Sequence, residues 1–385
     1  MTGALYSFLV RDPRSFAVIA EVPMAAISRV EWGRSRFEPS RWSMVLSRST
    51  IEAANSTLGV DLIARQNLVE IRRDGVVEFQ GYILNRALDT TTTIWTVSGY
   101  DLLDWLRRRI VGRTTAVTKS GIAETVLKAF VEENLGTSAG TRAATAELNT
   151  PNVFSIETDQ ARGSAVAYTG QRALLDRVTA EVCRQGALVQ RITLTSTGPH
   201  YSVDSPVDAT VSTGGTVFSV NLDNVTGIGY TESFENLQNA LTVAGSGTGN
   251  SRTTREVTDT TSIDADFRRE GVLTAPTNSI NAELDAIGAA EIIRQETQAI
   301  SAEVIPLSTS GNAEYRADWD VGWMITVAIP AAGIVSIDRQ IAAMRGVYDN
   351  TKGEFITFTL GTEAPRSQMT RLSRVLSRMQ MNLSA

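Results

Sequence analysis

Cysteine and histidine are almost absent from this chain: Cys183 and His200 are single residues of their kinds among 385. One thiol cannot form an internal disulfide or supply a cysteine-rich zinc site. Catalytic zinc sites commonly use two or three histidines, and a Ser-His-Asp triad would need His200 although the sequence has no Gly-x-Ser-x-Gly turn. The commonest hydrolase chemistries are therefore largely excluded. Cys183 lies among apolar neighbours in a helical pattern, which predicts a small buried residue.

Long apolar runs and an excess of basic charge are also missing. No stretch reaches the roughly 18 apolar residues of a membrane span, and the N-terminus lacks the basic region of a signal peptide, so we expect no membrane span and folding in a cytoplasm. Forty-two acidic residues against 36 basic ones give a net charge of -6, which argues against a dedicated nucleic-acid-binding protein. With 42% hydrophobic residues the composition is that of a globular protein.

The first hundred residues have the pattern of short strands, rich in β-branched and aromatic residues. The predicted strands are AVIAEVP (17–23), RWSMVLSR (41–48), LVEIRR (68–73), VVEFQGYILNRALD (76–89) and TIWTVSGY (93–100). Asp74-Gly75 separates two of them and predicts a hairpin, because a type I′ turn needs positive φ at both central positions. Several short strands joined by tight turns predict a β-barrel or sandwich.

After residue 100 the apolar period changes to that of helices. Helices are predicted near 101–106, 122–133 and 172–184, followed by strands at 187–195 and 200–206. From about residue 222 the pattern is again mostly β, with one helix predicted at 281–297 and strands at 300–307, 324–330, 333–350 and 354–360. The sequence thus predicts a β-rich α+β protein in four parts: a first β-barrel domain over 1–108, an α+β insertion over 109–221, a second β-barrel domain over 222–366, and a C-terminal helix over 367–385.

The C-terminal segment is predicted to be an amphipathic helix. Three arginines, at 371, 374 and 378, fall on one face, and the other face is apolar: Met369, Leu372, Val375, Leu376, Met379 and Leu383. An isolated helix of this length is marginal in water, so the apolar face must be buried. These six residues are therefore the candidates for an assembly interface. The alternative is a helix folded back on its own domain.

Other motifs favour structural interpretations over catalytic ones. The Gly-rich loop 245–252 (GSGTGNSR) lacks the Lys-Ser/Thr of a P-loop and precedes no clear helix, so a flexible loop is predicted. Carboxylate pairs occur at 101/104, 264/266 and 318/320, as expected by chance among 42 acids. Arg107, Arg108 and Arg109 are interpreted as a solvated helix end, with DNA or an acidic partner as the alternative. No catalytic, metal or cofactor site is predicted, and the chain is not expected to be an enzyme.

Several segments resemble the hub proteins of siphophage tails known as the Gp37-like family. They are WTVSGYDLLDWLRRRIV (95–111), AETVLKAFVEENLG (123–136), QRALLDRVTAEVCRQGALV (171–189) and GYTESFENLQNALTVAGSGTGNSRTTRE (229–256), in that order. YRADWDVGWMITV (315–327) resembles the hubs' Asp-x-x-x-Gly-Asp turn before a strand, with Trp323 where the second Asp is common. The resemblance covers roughly residues 1–365. It implies that the two β domains are barrels like those of the tail tube.

The resemblance also implies an assembly. Three chains would present six barrels and close a sixfold tail tube as a homotrimer at the tail tip of a virion assembled in the host bacterial cytoplasm. The implied partners are the distal tail protein, the tape-measure protein and tail fibre or receptor-binding proteins, with transient contact to DNA passing through on ejection. The alternatives are another tail ring protein (distal tail or neck), a hub of a contractile or secretion-type machine, and a hub with cell-wall hydrolase activity.

Overall fold

The computed structural model describes residues 5–232, 234, 237–275, 280–306 and 313–361. The part nearest the N-terminus is mostly β. Its strands are β1 (Tyr6–Arg11), β2 (Val18–Glu21), β3 (Ile27–Ser35), β4 (Arg41–Ser47), β5 (Leu68–Arg73), β6 (Val76–Asp89) and β7 (Ile94–Asp101). Helix α1 (Arg48–Leu58), which the sequence patterns did not predict, ends at Gly59 in the left-handed conformation, a common helix stop.

The middle of the chain alternates short strands with helices. The helices are α2 (Asp104–Arg107), α3 (Ala123–Asn134) and α4 (Leu175–Gln185). The strands are β8 (Ile110–Val111), β9 (Val117–Ile122), β10 (Ser155–Ile156), β11 (Ala165–Gly170), β12 (Ala173–Leu174), β13 (Val189–Thr195), β14 (Gly198–Asp204), β15 (Asp208–Ala209) and β16 (Val217–Phe218). The predicted change of period after residue 100, with helices near 122–133 and 172–184, is confirmed.

The last described part is β-rich again. Its strands are β17 (Val225–Glu232), β18 (Ala240–Ala244), β19 (Thr254–Thr258), β20 (Glu270–Thr274), β21 (Ile300–Pro306), β22 (Met324–Ile329), β23 (Ile334–Asp349) and β24 (Gly353–Leu360). Its helices are α5 (Thr260–Asp266) and α6 (Asn281–Ala299), the second close to the predicted 281–297. The predicted helix over 367–385, with its apolar residues Met369, Leu372, Val375, Leu376, Met379 and Leu383, lies outside the described residues.

The hairpin between β5 and β6 has the predicted turn. Asp74 has φ of 51° and Gly75 has φ of 80°, so both central residues are in the positive-φ region that a type I′ turn requires. Nothing lies within 4 Å of a Cβ built on Gly75, so the backbone conformation alone favours glycine there.

One continuous sheet joins strands from the two ends of the chain. Its main path runs β17-β21-β24-β23-β3-β4-β7-β6-β5-β1-β2; β22 branches from β23, and β15 and β16 pair with β22. Its terminal strands are not paired with each other, so the sheet does not close into a barrel within the described residues. The β-rich α+β class is confirmed, but the prediction of two separate barrels is not, because antiparallel pairing of β3 with β23 connects the two parts.

The main core reflects this joining of the ends. Trp32 of β3 and Trp319, which precedes β22, are both fully buried in one apolar cluster that also holds Phe358 of β24. The Trp319 and Phe358 ring centroids are 4.7 Å apart. Gly346 lies opposite Trp32 in the β3–β23 pair, where the indole ring occupies the space that a side chain would need.

A second core lies under the helices of the middle region. It is built on α3 and α4 and contains Cys183, which is fully buried, so the predicted burial of this thiol is confirmed. Burial raises the pKa of the Cys183 thiol above its usual range. Phe16, Phe37 and Leu68 from the N-terminal part also belong to this core, so the middle region packs on that part.

Candidate functional site: a charged cleft between three segments

A cleft of ≈ 360 Å³ lies where the N-terminal strands, the middle region and the segment before β22 meet. Charged and apolar side chains share its wall. Its lining includes Arg34, Glu78, Asp101, Leu102, Leu103, Arg191, Ile192, Arg316, Asp320 and Val321. The sequence patterns did not assemble this group, because its members lie up to 287 positions apart, from 34 to 321.

Arg34 and Asp320 form the ion pair that ties β3 to the segment before β22. The Arg34 Nη1 and Nη2 atoms donate to Asp320 Oδ1 at 2.8 Å and Oδ2 at 3.1 Å. Only 17% of the Arg34 side chain and 13% of the Asp320 side chain are exposed. Burial acts to lower the pKa of Arg34, but the adjacent Tyr315 and Asp320 raise it above its ordinary value. Arg34 therefore stays charged, and the Asp320 carboxylate compensates its charge.

Glu78 is a buried carboxylate at the other side of the cleft. It accepts hydrogen bonds from the Tyr315 hydroxyl at 2.7 Å and from Trp32 Nε1 at 3.4 Å. Arg316 Nη2 lies 2.9 Å from Glu78 Oε2. These hydrogen bonds and the pairing with Arg316 offset the cost of burying the carboxylate group. It connects β6 to residues 315 and 316, and so the first part of the chain to the last.

Asp101 differs from the other acids of the cleft. Burial raises its pKa to about 8, and the nearby Asp104 acts in the same direction. The backbone N–H groups of Ser40 and Leu103 donate to its two oxygens at 3.1 Å, which acts in the opposite direction. At neutral pH Asp101 is therefore mostly uncharged.

The carboxylate pairs noted in the sequence have separate structural partners. Asp104 binds Arg108 Nε at 2.9 Å, whereas Asp101 accepts from the backbone. Asp318 accepts from the backbone N–H of Glu314 at 2.7 Å, whereas Asp320 binds Arg34. In neither pair do the two carboxylates share a hydrogen-bond partner, as the two acids of a catalytic pair acting on one substrate would. Asp264 of the third pair is exposed on α5.

The interpretation of Arg107, Arg108 and Arg109 as a solvated helix end is wrong for Arg109, which is buried, whereas Arg108 is exposed at the end of α2. The Arg107 guanidinium lies 4.2 Å from the centroid of the Tyr100 ring and 3.5 Å from Asp176. Arg109 is only 9% exposed and donates to the Arg142 carbonyl oxygen at 3.1 and 3.2 Å. The three guanidinium groups turn back onto aromatic rings, carboxylates and a carbonyl, which the sequence spacing could not show.

The remaining motifs have local structural partners. The His200 Nδ1 atom is 2.9 Å from the Ser155 hydroxyl, across the pair formed by β10 and β14. In the Gly-rich loop, Arg252 donates to the carbonyl oxygens of Gly245 at 2.8 Å and Ala244 at 3.0 Å, and strand β19 follows instead of a helix. The loop thus lacks the helix N-terminus that a phosphate site of this kind uses.

The described part of the chain offers neither a metal-binding cluster nor a membrane-spanning helix. Among these residues, no three or more His, Cys, Asp or Glu side chains are grouped so that they could hold a metal ion. None of the helices described here has the length and apolar content needed to cross a membrane.

Three solved structures share this fold over nearly the whole chain. The tail protein from Neisseria meningitidis MC58 is 12% identical, with a TM-score of 0.60 and coverage of 93% of this chain and 97% of that one. The 43 kDa tail protein of prophage MuSo2 from Shewanella oneidensis is 13% identical, with a TM-score of 0.60 and coverage of 93% and 98%. Prophage tail protein gp18 from Listeria monocytogenes EGD-e is 11% identical, with a TM-score of 0.59 and coverage of 96% and 99%.

At the level of sequence, no curated protein matches the chain. The chain does match a protein family, and this match confirms the resemblance to the Gp37-like family that was based on segments between residues 95 and 327. The family described as Siphovirus ReqiPepy6 Gp37-like protein matches residues 10–362. Since this match covers most of the 385 residues, the chain belongs to the family of siphovirus ReqiPepy6 Gp37-like proteins.

Proposed function

We propose that this protein is a structural subunit of a bacteriophage tail, and that it forms the hub at the distal end of the tail tube. The observation that carries the proposal is the extent of the shared fold: the match covers 97%, 98% and 99% of the three tail proteins. The whole of each tail protein therefore corresponds to this chain, so a tail role applies to the chain as a unit.

In this proposal the hub is a homotrimer that closes the tube. Each chain contributes two β-rich parts, β1–β7 and the strands from β17 onward, as the two tube-like units of the hub. Three chains then form a ring of six units that matches a sixfold tube. The distal tail protein and the tape-measure protein would meet this ring, and tail fibre or receptor-binding proteins would attach outside it.

The role is structural and not enzymatic. The acids that line the cleft are engaged in fixed interactions: Glu78 with Arg316 and Tyr315, Asp320 with Arg34, and Asp101 with backbone N–H groups. Such pairing holds separate parts of the chain together, which suits a structural subunit. DNA would pass through the open ring on ejection, and the net charge of -6 would keep phosphate from binding there strongly.

The test is the copy number of the chain in isolated tails. Native mass spectrometry of tail tips should find three copies of the 41.6 kDa chain. Six or twelve copies would instead assign the protein to a distal tail or neck ring. Release of sugar or peptide fragments from purified cell wall, lost on a single Asp or Glu substitution, would favour the hydrolase alternative.

The C-terminal segment is proposed to act in assembly. Full burial of a large apolar side chain contributes about 1.5–3 kcal/mol, so the apolar face of residues 367–385 would favour docking strongly. A chain truncated after Pro365 should lose trimer formation or incorporation into tails. A truncated protein that still forms trimers and infectious tails would show that the segment packs only locally.

A further inference from the structure

The Arg191 guanidinium makes only long polar contacts among the described residues. It donates to the Val321 carbonyl oxygen at 3.5 Å and lies 3.7 Å from Asp204 and 3.9 Å from Asp320. Charge-assisted hydrogen bonds are usually about 2.7–2.9 Å long, and an arginine has five N–H donors. Asp320 is already held by Arg34 at 2.8 Å, and Asp204 is half exposed and also lies 3.7 Å from Arg162. Most donors of Arg191 are therefore not engaged within the described residues.

Arg316 presents a second incompletely bound guanidinium to the same cleft. Its Nη2 donates to the Val77 carbonyl oxygen at 2.9 Å and pairs with Glu78, but its Nε is buried without a hydrogen-bond partner in the described structure. A buried donor without an acceptor is unfavourable. The residue also has φ of 70°, a conformation that residues other than glycine seldom adopt. Backbone strain of this kind clusters at ligand-binding and switch regions.

Charged side chains of both signs line the cleft. Arg34, Arg191 and Arg316 share it with Glu78, Asp320 and Asp101, and Asp204 lies 3.7 Å from Arg191. Burial and the neighbouring Arg34 cation lower the pKa of Arg191, while Asp320, Asp204 and Tyr315 act in the opposite direction. A carboxylate placed in the cleft beside Arg191 would supply the short acceptors that its guanidinium lacks among the described residues.

We propose that this cleft binds a carboxylate side chain from an acidic segment of a neighbouring tail protein, with Arg191 as the anchoring residue and Arg316 as a second donor. The identity of the partner as a tail protein rests on the proposed function. A planar carboxylate matches the two-pronged donor geometry of a guanidinium. The apolar wall formed by Leu102, Ile192 and Val321 suits the methylene stem of an Asp or Glu side chain.

A protein carboxylate fits the cleft better than a nucleic-acid phosphate does. Glu78 and Asp320 lie in the same wall and would repel a chain of phosphates. The protein also carries a net charge of -6, which opposes the accumulation of phosphate at its surface. A single carboxylate supplies two acceptor oxygens to Arg191 and Arg316 while adding only one negative charge.

The experiment measures the binding of a fluorescein-labelled hexaglutamate peptide to the full chain by fluorescence anisotropy at low salt. Hexaglutamine and a single-stranded thymidine hexanucleotide serve as comparison probes. We expect hexaglutamate to bind, hexaglutamine not to bind, and binding to weaken as salt is added. Arg191→Gln should weaken binding about tenfold, as expected for the loss of one charge-assisted interaction. Arg48→Gln removes the same charge from the exposed α1 and should leave binding unchanged.

Arg191→Gln should fold normally, because the hydrogen bond and ion pairs of the Arg191 guanidinium are all 3.5 Å or longer. If it does not fold, Arg191→Lys is the alternative test. This variant keeps the positive charge but loses the two-pronged donor geometry of the guanidinium, so it should bind hexaglutamate more weakly than the parent protein does. The proposal is overturned if the parent protein does not bind hexaglutamate, if the folded Arg191 variant binds as the parent does, or if the hexanucleotide binds more tightly than the peptide. The copy number in tails is a separate measurement, so failure here leaves the hub proposal intact.

Discussion

Replacing Asp320 with alanine removes the carboxylate that holds the Arg34 guanidinium at 2.8 and 3.1 Å. The arginine then remains in a site where only 17% of its side chain is exposed. Arg191, a neighbouring cation, adds repulsion, and the hydrogen bond that Arg34 keeps with Tyr315 goes to an uncharged hydroxyl oxygen. Breaking a buried ion pair by removing one partner lowers the free energy of unfolding by about 3–5 kcal/mol. We expect Asp320→Ala to fall in that range.

The assay is urea unfolding followed in parallel by tryptophan fluorescence and circular dichroism. A matched control is available in Asp285→Ala, because Arg255 holds Asp285 with the same two-pronged geometry, at 2.8 and 2.9 Å, on an exposed surface. Because the Arg255 and Asp285 side chains are solvated, the free energy of unfolding of the control should be close to that of the parent protein. The double variant Arg34→Met with Asp320→Leu should recover much of the lost stability, since it leaves no unpaired buried charge.

Two outcomes would contradict this reasoning. An Asp320→Ala variant as stable as the Asp285→Ala control would mean that burial does not distinguish the two ion pairs. A double variant less stable than Asp320→Ala would mean that the unpaired arginine is not the source of the loss. Either result would also weaken the view that this pair holds the first and last parts of the chain together.

Three further predictions follow from individual positions. Gly75→Val should lower stability by about 1–3 kcal/mol, because its φ of 80° strains a β-branched residue, and an unchanged thermal midpoint would contradict the assigned turn. Gly346→Ala places a Cβ 2.3 Å from the Trp32 ring and should cost about 1–3 kcal/mol in urea unfolding, whereas Gly227→Ala, with no atom within 4 Å, should be nearly neutral. Cys183 is fully buried with a raised thiol pKa, so an aromatic disulfide reagent should label it only in denaturant; rapid labelling of native protein would show that the helix opens.

Local patterns predicted the individual elements well. β-branched and aromatic residues predicted strand β4 and the long strand β23. The Asp74-Gly75 pair predicted the hairpin, because these residue types adopt the positive φ values that its turn requires. Helix α1 was missed because RSTIEAANSTL has a weak apolar stripe, with Ile51 as its one buried residue. Gly59 after its last turn was the available signal, since glycine commonly ends a helix in the left-handed conformation.

Local patterns could not predict which distant segments of the chain pair or pack with each other. Nothing in ISRVEWGRS or IAAMRGVYD specifies that these segments pair with each other, because strand patterns report burial and not the partner. Two separate β domains were the natural prediction, and a joined sheet was found. The cleft was missed for the same reason: Arg34, Glu78, Arg191 and Asp320 become neighbours only through tertiary folding. The spacing of the carboxylate pairs singled out Asp320, but it paired this residue with Asp318, whereas the structure pairs it with Arg34.

The pairing of β3 with β23 also determines how soon the chain can finish folding during its synthesis. The ribosome makes β3 roughly 300 residues before β23. At about 5–20 residues per second, one edge of β3 stays open for on the order of 15–60 s. In that interval many nascent chains with the same open edge are close together in one polysome. Arg29, Glu31 and Arg34 place charge along that edge, which disfavours pairing between nascent chains until β23 arrives.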